Sequence, residues 1–77
     1  SLENIEKYFA SNAETRGYIA GILGRSRRTG LDPEGLLDRD MSTIMSKAID
    51  HGYTESELTP ILQRIYDKWF TRLGDLS

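Results

Sequence analysis

Apolar positions along the chain recur at three- and four-residue intervals and nowhere alternate with period two over five or more residues. That pattern predicts helices and no strand. Leu2, Ile5 and Phe9, with Tyr8 beside them, mark a short first helix, and Glu3 and Glu6 in its first turns complement the positive end of the helix dipole. Ser11 and Glu14 have the spacing of a capping box, in which each side chain satisfies the other's backbone N–H. The box predicts a second helix from about Asn12 to Arg28, in preference to one continuous helix from Leu2. At about 100° per residue, Ala13, Gly17, Ala20, Gly21 and Gly24 share one face of it, and Ile19, Ile22 and Leu23 share another. Glycine in a helix interior costs about 1 kcal/mol relative to alanine. Three of them imply close approach of another backbone, either within the domain or from a second copy of the chain. Gly17 and Gly21 are therefore candidate contact residues, with packing inside the domain the preferred expectation. This helix is also expected to be central, because it lacks a wide polar face. Thr29-Gly30 ends it, with Gly30 suited to a left-handed cap.

Asp32 as cap and Pro33 at the first position start a third helix. Leu37, Met41, Ile44, Met45, Ala48 and Ile49 give it a narrow apolar stripe, and His51-Gly52 stops it. Asp40 and Ser42 are both acceptable caps, so a break between Asp38 and Ser42 is open. Thr54 and Glu57 form another capping box. Pro60 lies too far inside that helix to be accommodated without a kink. The expectation is a single turn at 55–58, then a restart with Thr59 as cap and Pro60 first, running to about Leu73 with Gly74 as the stop. Leu58, Ile61, Leu62, Ile65, Tyr66, Trp69, Phe70 and Leu73 cover about 180° of its circumference, wider than the ~100° stripe that one core requires. Tyr66 and Phe70, at the edge of that face, are candidate partner-binding residues, since aromatic side chains are enriched at interfaces. Ile44, Ile49, Ile61, Ile65 and Trp69 are expected to be buried together.

Length then bounds the answer. Seventy-seven residues allow one domain, and a chain this short buries a thin core. The expected fold is all-α, about four short helices in a compact bundle or orthogonal array over residues 1–77. A start without methionine suggests a processed or cleaved product, or a fragment of a longer protein. With no cysteine, a disulfide scaffold, a thiol nucleophile and a Cys-ligated metal are excluded, and a cytoplasmic home is the simplest expectation. The longest uncharged run, Gly17 to Gly24, has eight residues, where a membrane span needs about 20. The acidic start lacks the apolar core of a signal peptide.

Net charge is only −2, but it is unevenly spread. Residues 15–30 hold four arginines and no acid, whereas 31–58 hold seven acids against Arg39 and Lys47. Arg16, Arg25, Arg27 and Arg28 make a candidate anion or nucleic-acid surface, because arginine presents planar, bidentate donors to phosphate. The competing explanation is that cations near a helix C-terminus complement its dipole. His51 beside Asp50 has the composition of a general base and its orienting acid, but a C-terminal histidine on the helix dipole explains it more simply. Asp38-x-Asp40-x-Ser42 begins like a calcium loop, which needs Gly at its sixth place and Glu at its twelfth. Thr43 and Ile49 occupy those places, so the motif fails. No metal site, cofactor motif or small-molecule substrate is indicated. The functional expectation is a non-catalytic interaction or regulatory domain whose partner is another protein or a second copy of itself. The alternative is an accessory nucleic-acid-binding domain working through the four arginines.

Overall fold

The computed structural model describes residues 1–76 and contains four α-helices and no strand among them. They are α1 (Leu2–Phe9), α2 (Asn12–Thr29), α3 (Pro33–Asp50) and α4 (Glu55–Leu76). Local signals set most of the boundaries. Ser11 caps α2 by accepting the Glu14 N–H at 3.2 Å. The reverse half of that box does not form, because the Ser11 N–H donates to Tyr8 O at 3.2 Å. Gly30 closes α2 in the left-handed conformation at φ 74°. Asp32 caps α3 through the Gly35 N–H. Thr54 and Glu57 complete their box in both directions, at 3.2 and 3.0 Å.

Four expectations are corrected. First, α4 does not restart at Pro60. Leu58, Ile61, Leu62 and Ile65 are buried in one cluster, and only an unbroken helical register keeps all four on one face. Proline forfeits one backbone bond there, while the Thr59 hydroxyl donates to Glu55 O at 2.8 Å beside it. Second, Gly74 does not stop α4; it has no positive φ, and the helix runs on to Leu76. Third, α3 has no break, because Asp40 is taken up by a tertiary contact rather than by capping. Fourth, the core is organised on α4 rather than α2. α4 supplies Leu58, Ile61, Leu62, Ile65, Trp69 and Leu73, against Ile19 and Ile22 from α2 and Leu36 and Leu37 from α3. α4 packs against all three other helices, which is why its apolar face is so wide.

Two side chains are also displaced from their expected environments. Ile49 is exposed and takes no part in the core, while Ile44 packs against it half-buried. Phe9 is exposed as well. The small face of α2 packs on nothing: a Cβ placed on Gly17 or Gly21 would have no neighbour within 4 Å. Intramolecular packing therefore does not explain those two glycines. Gly24 alone has a close neighbour, with Arg28 Nη1 at 3.1 Å from the position its Cβ would take.

Candidate functional site

A clasp of polar contacts joins all four helices. Trp69 on α4 donates its indole N–H to Phe9 O at the end of α1, at 3.0 Å. The Trp69 ring stacks on Tyr18 of α2, with centroids 4.0 Å apart and planes 22° apart. The Tyr18 hydroxyl donates to Asp40 on α3, and the Arg25 guanidinium donates to the same carboxylate oxygen, each at 2.5 Å. Burial works against ionisation of Asp40, but hydrogen bonds from Arg25 and Tyr18 and the Arg25 charge outweigh it, so its carboxyl lies below its ordinary value. Burial and then the Asp40 hydrogen bond push the Tyr18 phenol well up. On the outside, Arg64 of α4 binds Glu6 of α1 at 2.9–3.0 Å. Both contacts hold the helices in place.

The structure therefore disperses the arginine cluster. Arg25 is committed to Asp40, and Arg28 folds back over Gly24. Arg27 and Arg16 are exposed, but eleven residues separate them, about 16 Å along the helix axis. No single face presents all four. His51 likewise sits at the end of α3 with Nδ1–H donating to Lys47 O at 2.8 Å. No carboxylate pairs with it among the described residues, and none of them form a cluster of three His, Asp or Glu side chains able to hold a metal ion.

The feature that gathers candidate residues lies between α3 and α4. A groove of about 480 Å³ runs between them, with Met41 and Met45 on one wall and Leu62 and Tyr66 on the other. Ser42, Ser46, Thr59 and Gln63 form its polar lip. Tyr66 stacks on Phe70 at 5.6 Å, which continues the aromatic wall one turn further along α4, and Phe70 is 41% exposed. Burial and then the nearby carboxylates of Asp38, Glu34 and Asp67 push the Tyr66 phenol up. Acidic side chains therefore lie near the Tyr66 wall of the groove.

Tyr66 and Phe70 were legible as an edge pair from the width of the α4 face. Met41 and Met45 belong to the narrow apolar stripe of α3, and their place on a groove wall was not legible. The available signal was that the chain's only two methionines lie one turn apart, since methionine is over-used on adaptable binding surfaces. Among the described residues, no helix is long and apolar enough to cross a membrane. The chain matches no family model, no curated protein and no solved structure.

Proposed function

We propose that this four-helix domain is a non-catalytic protein-interaction module, and that its α3–α4 groove receives a basic amphipathic helix from another protein. The observation that carries the reading is the composition of the groove. Both methionines and Tyr66 line one open channel, Phe70 stacks on Tyr66 beside it, and the carboxylates of Asp38, Glu34 and Asp67 act on the Tyr66 phenol. Methionine side chains are unbranched and polarisable, so they adapt to the anchors of an incoming helix. Such a helix lays residues spaced i, i+3/i+4 and i+7 into an apolar groove. The acids near Tyr66 favour lysine or arginine flanking those anchors and disfavour an acidic partner. The absence of catalytic activity is part of the proposal. It is supported by the commitment of His51 Nδ1 to a backbone carbonyl and of Asp40 to Arg25 and Tyr18.

The test uses a synthetic Leu/Lys amphipathic peptide and a Leu/Glu peptide of the same pattern. The cationic peptide is expected to shift the Met41 and Met45 methyl and Tyr66 and Phe70 ring resonances, and the anionic peptide to bind at least tenfold more weakly. Phe70→Ala is expected to leave the helical circular dichroism unchanged and to weaken binding by about tenfold, or ~1.4 kcal/mol. Reversing Arg27 and Arg28 to Glu is expected to change little. Equal binding of both peptides, or shifts elsewhere on the surface, would overturn the reading. So would a Phe70-dependent dimer in sedimentation, which would assign the groove to a second copy of the chain.

A further inference from the structure

A second groove, of about 350 Å³, opens where the start of α2 lies beside the end of α4, and its lining is polar and cationic. α2 contributes Asn12, Thr15 and Arg16; α4 contributes Lys68, Arg72 and Asp75. Three cations thus line one concavity, and among the described residues none of them has an ion pair. Asp75 is the one acid on the wall and is bonded to none of them.

One observation in particular points to a ligand. Thr15 is 2% exposed, yet its Oγ1 has no hydrogen-bond partner, and neither does the buried Nε of Arg72. Buried polar atoms are nearly always satisfied, and an unpartnered pair lining one polar groove calls for an explanation. The start of α2, which lies at this groove, carries the free N–H groups of any capped helix. Ser11 takes the Glu14 N–H through its side chain and the Thr15 N–H through its carbonyl, which leaves the N–H groups of Asn12 and Ala13. A helix start with free N–H groups favours an anion.

We propose that this groove binds a phosphate group, held by Arg16, Lys68 and Arg72 against the start of α2, with the Thr15 hydroxyl donating to one of its oxygens. A phosphate offers three or more acceptor oxygens and up to two charges, matching three cations, a hydroxyl and a helix start; a monocarboxylate leaves most of these donors idle. A backbone phosphodiester carries one charge and has two oxygens already esterified, so free phosphate or a small-molecule monoester fits better. The site shares no residue with the α3–α4 groove, and its failure would leave the reading of that groove untouched.

The experiment is a titration of the full chain with inorganic phosphate and, separately, phenyl phosphate, followed by amide resonances at ionic strength held constant with sodium chloride. Saturable shifts at Asn12, Thr15, Arg16 and Arg72 are expected. Arg16→Gln, at an exposed position, is expected to weaken the affinity at least threefold, and Thr15→Val to do the same while leaving the melting temperature without phosphate unchanged or higher. Asp75→Asn is expected to tighten it. Tighter phenyl phosphate binding identifies an ester as the source, and equal binding identifies the free anion. Shifts linear in phosphate, or unaltered by both Arg16→Gln and Thr15→Val, would overturn the site. Saturation by an oligothymidylate at lower phosphate-equivalent concentration would also overturn it, by giving the groove to nucleic acid.

Discussion

Asp40 shows how one side chain acquires a role that its sequence neighbours do not reveal. It accepts from both Tyr18 and Arg25 and so links α3 to α2. Asp40→Asn keeps a hydrogen-bond acceptor and removes the charge. Because Arg25 is 41% exposed, solvent screens much of the pair, and the expected loss is about 1 kcal/mol by urea titration at neutral pH. The pH dependence has a definite sign. The pKa values of Asp40, Glu6 and Glu57 are all lowered in the fold. Their contribution is complete above the unfolded carboxylate values near ~4 and is lost as pH falls through the lowered folded values. Tyr18 is raised; its contribution is complete below the ordinary tyrosine value of ~10 and is lost above it. Urea midpoints are therefore expected to fall on both flanks, with Asp40→Asn flattening the acid limb. A wild-type midpoint that holds steady from neutral pH to below pH ~3 would contradict this account.

At the scale of the element, α2 is the least economical helix. Gly17 and Gly21 lie on an exposed face with nothing within reach of a Cβ. Gly17→Ala and Gly21→Ala are each expected to stabilise the domain by about 0.5–1 kcal/mol, through helix propensity and a less flexible unfolded chain. Gly30→Ala is expected to destabilise it by about 1–2 kcal/mol, because Gly30 holds a left-handed φ of 74°. Thermal melts of the three variants provide the check, and destabilisation by Gly21→Ala would show that this face is covered in solution. The contrast among these glycines was not legible in the sequence. Spacing put Gly17, Gly21 and Gly24 on one face, but only the placement of the other helices leaves that face open. Gly30 was legible, since a glycine just past a periodic segment next to a new cap has a local purpose.

Over the whole molecule, stability depends on one helix. α4 contributes six buried apolar side chains and meets each of the other helices. Ile65 is 2% exposed within the central cluster. Ile65→Ala is expected to cost ~2–5 kcal/mol, a large share of what so small a domain possesses. Global unfolding in urea, followed by Trp69 fluorescence and by helical circular dichroism together, tests this. A change under ~0.5 kcal/mol would mean that the α4 register is wrong. The same centrality leaves the Tyr66–Phe70 edge of α4 outside the core, where the α3–α4 groove begins.

The sequence by itself determined the helical class, the number of helices and most of their ends, because caps, periodicity and glycine stops act within a few residues of one another. Asp32 and the Thr54–Glu57 box do in the structure what their spacing predicts, and Ser11 caps α2 although only its half of the expected box forms. Signals that depend on what lies across the domain were undecidable locally. Pro60 and Gly74 carry stop signals, yet α4 runs through both; at Pro60 the burial of Leu58 with Ile61 and Ile65 requires one register. Ile49 fits the apolar stripe of α3 but lies beyond the reach of its partner helices. Arg25, Arg27 and Arg28 are neighbours in sequence, with Arg16 nine residues earlier, and Arg25 left the group only because Asp40 and Tyr18 were brought to it from other turns and another helix. Both grooves are likewise products of packing. Each is lined by residues of two helices separated in sequence, and such a surface comes into being only when the helices are placed side by side.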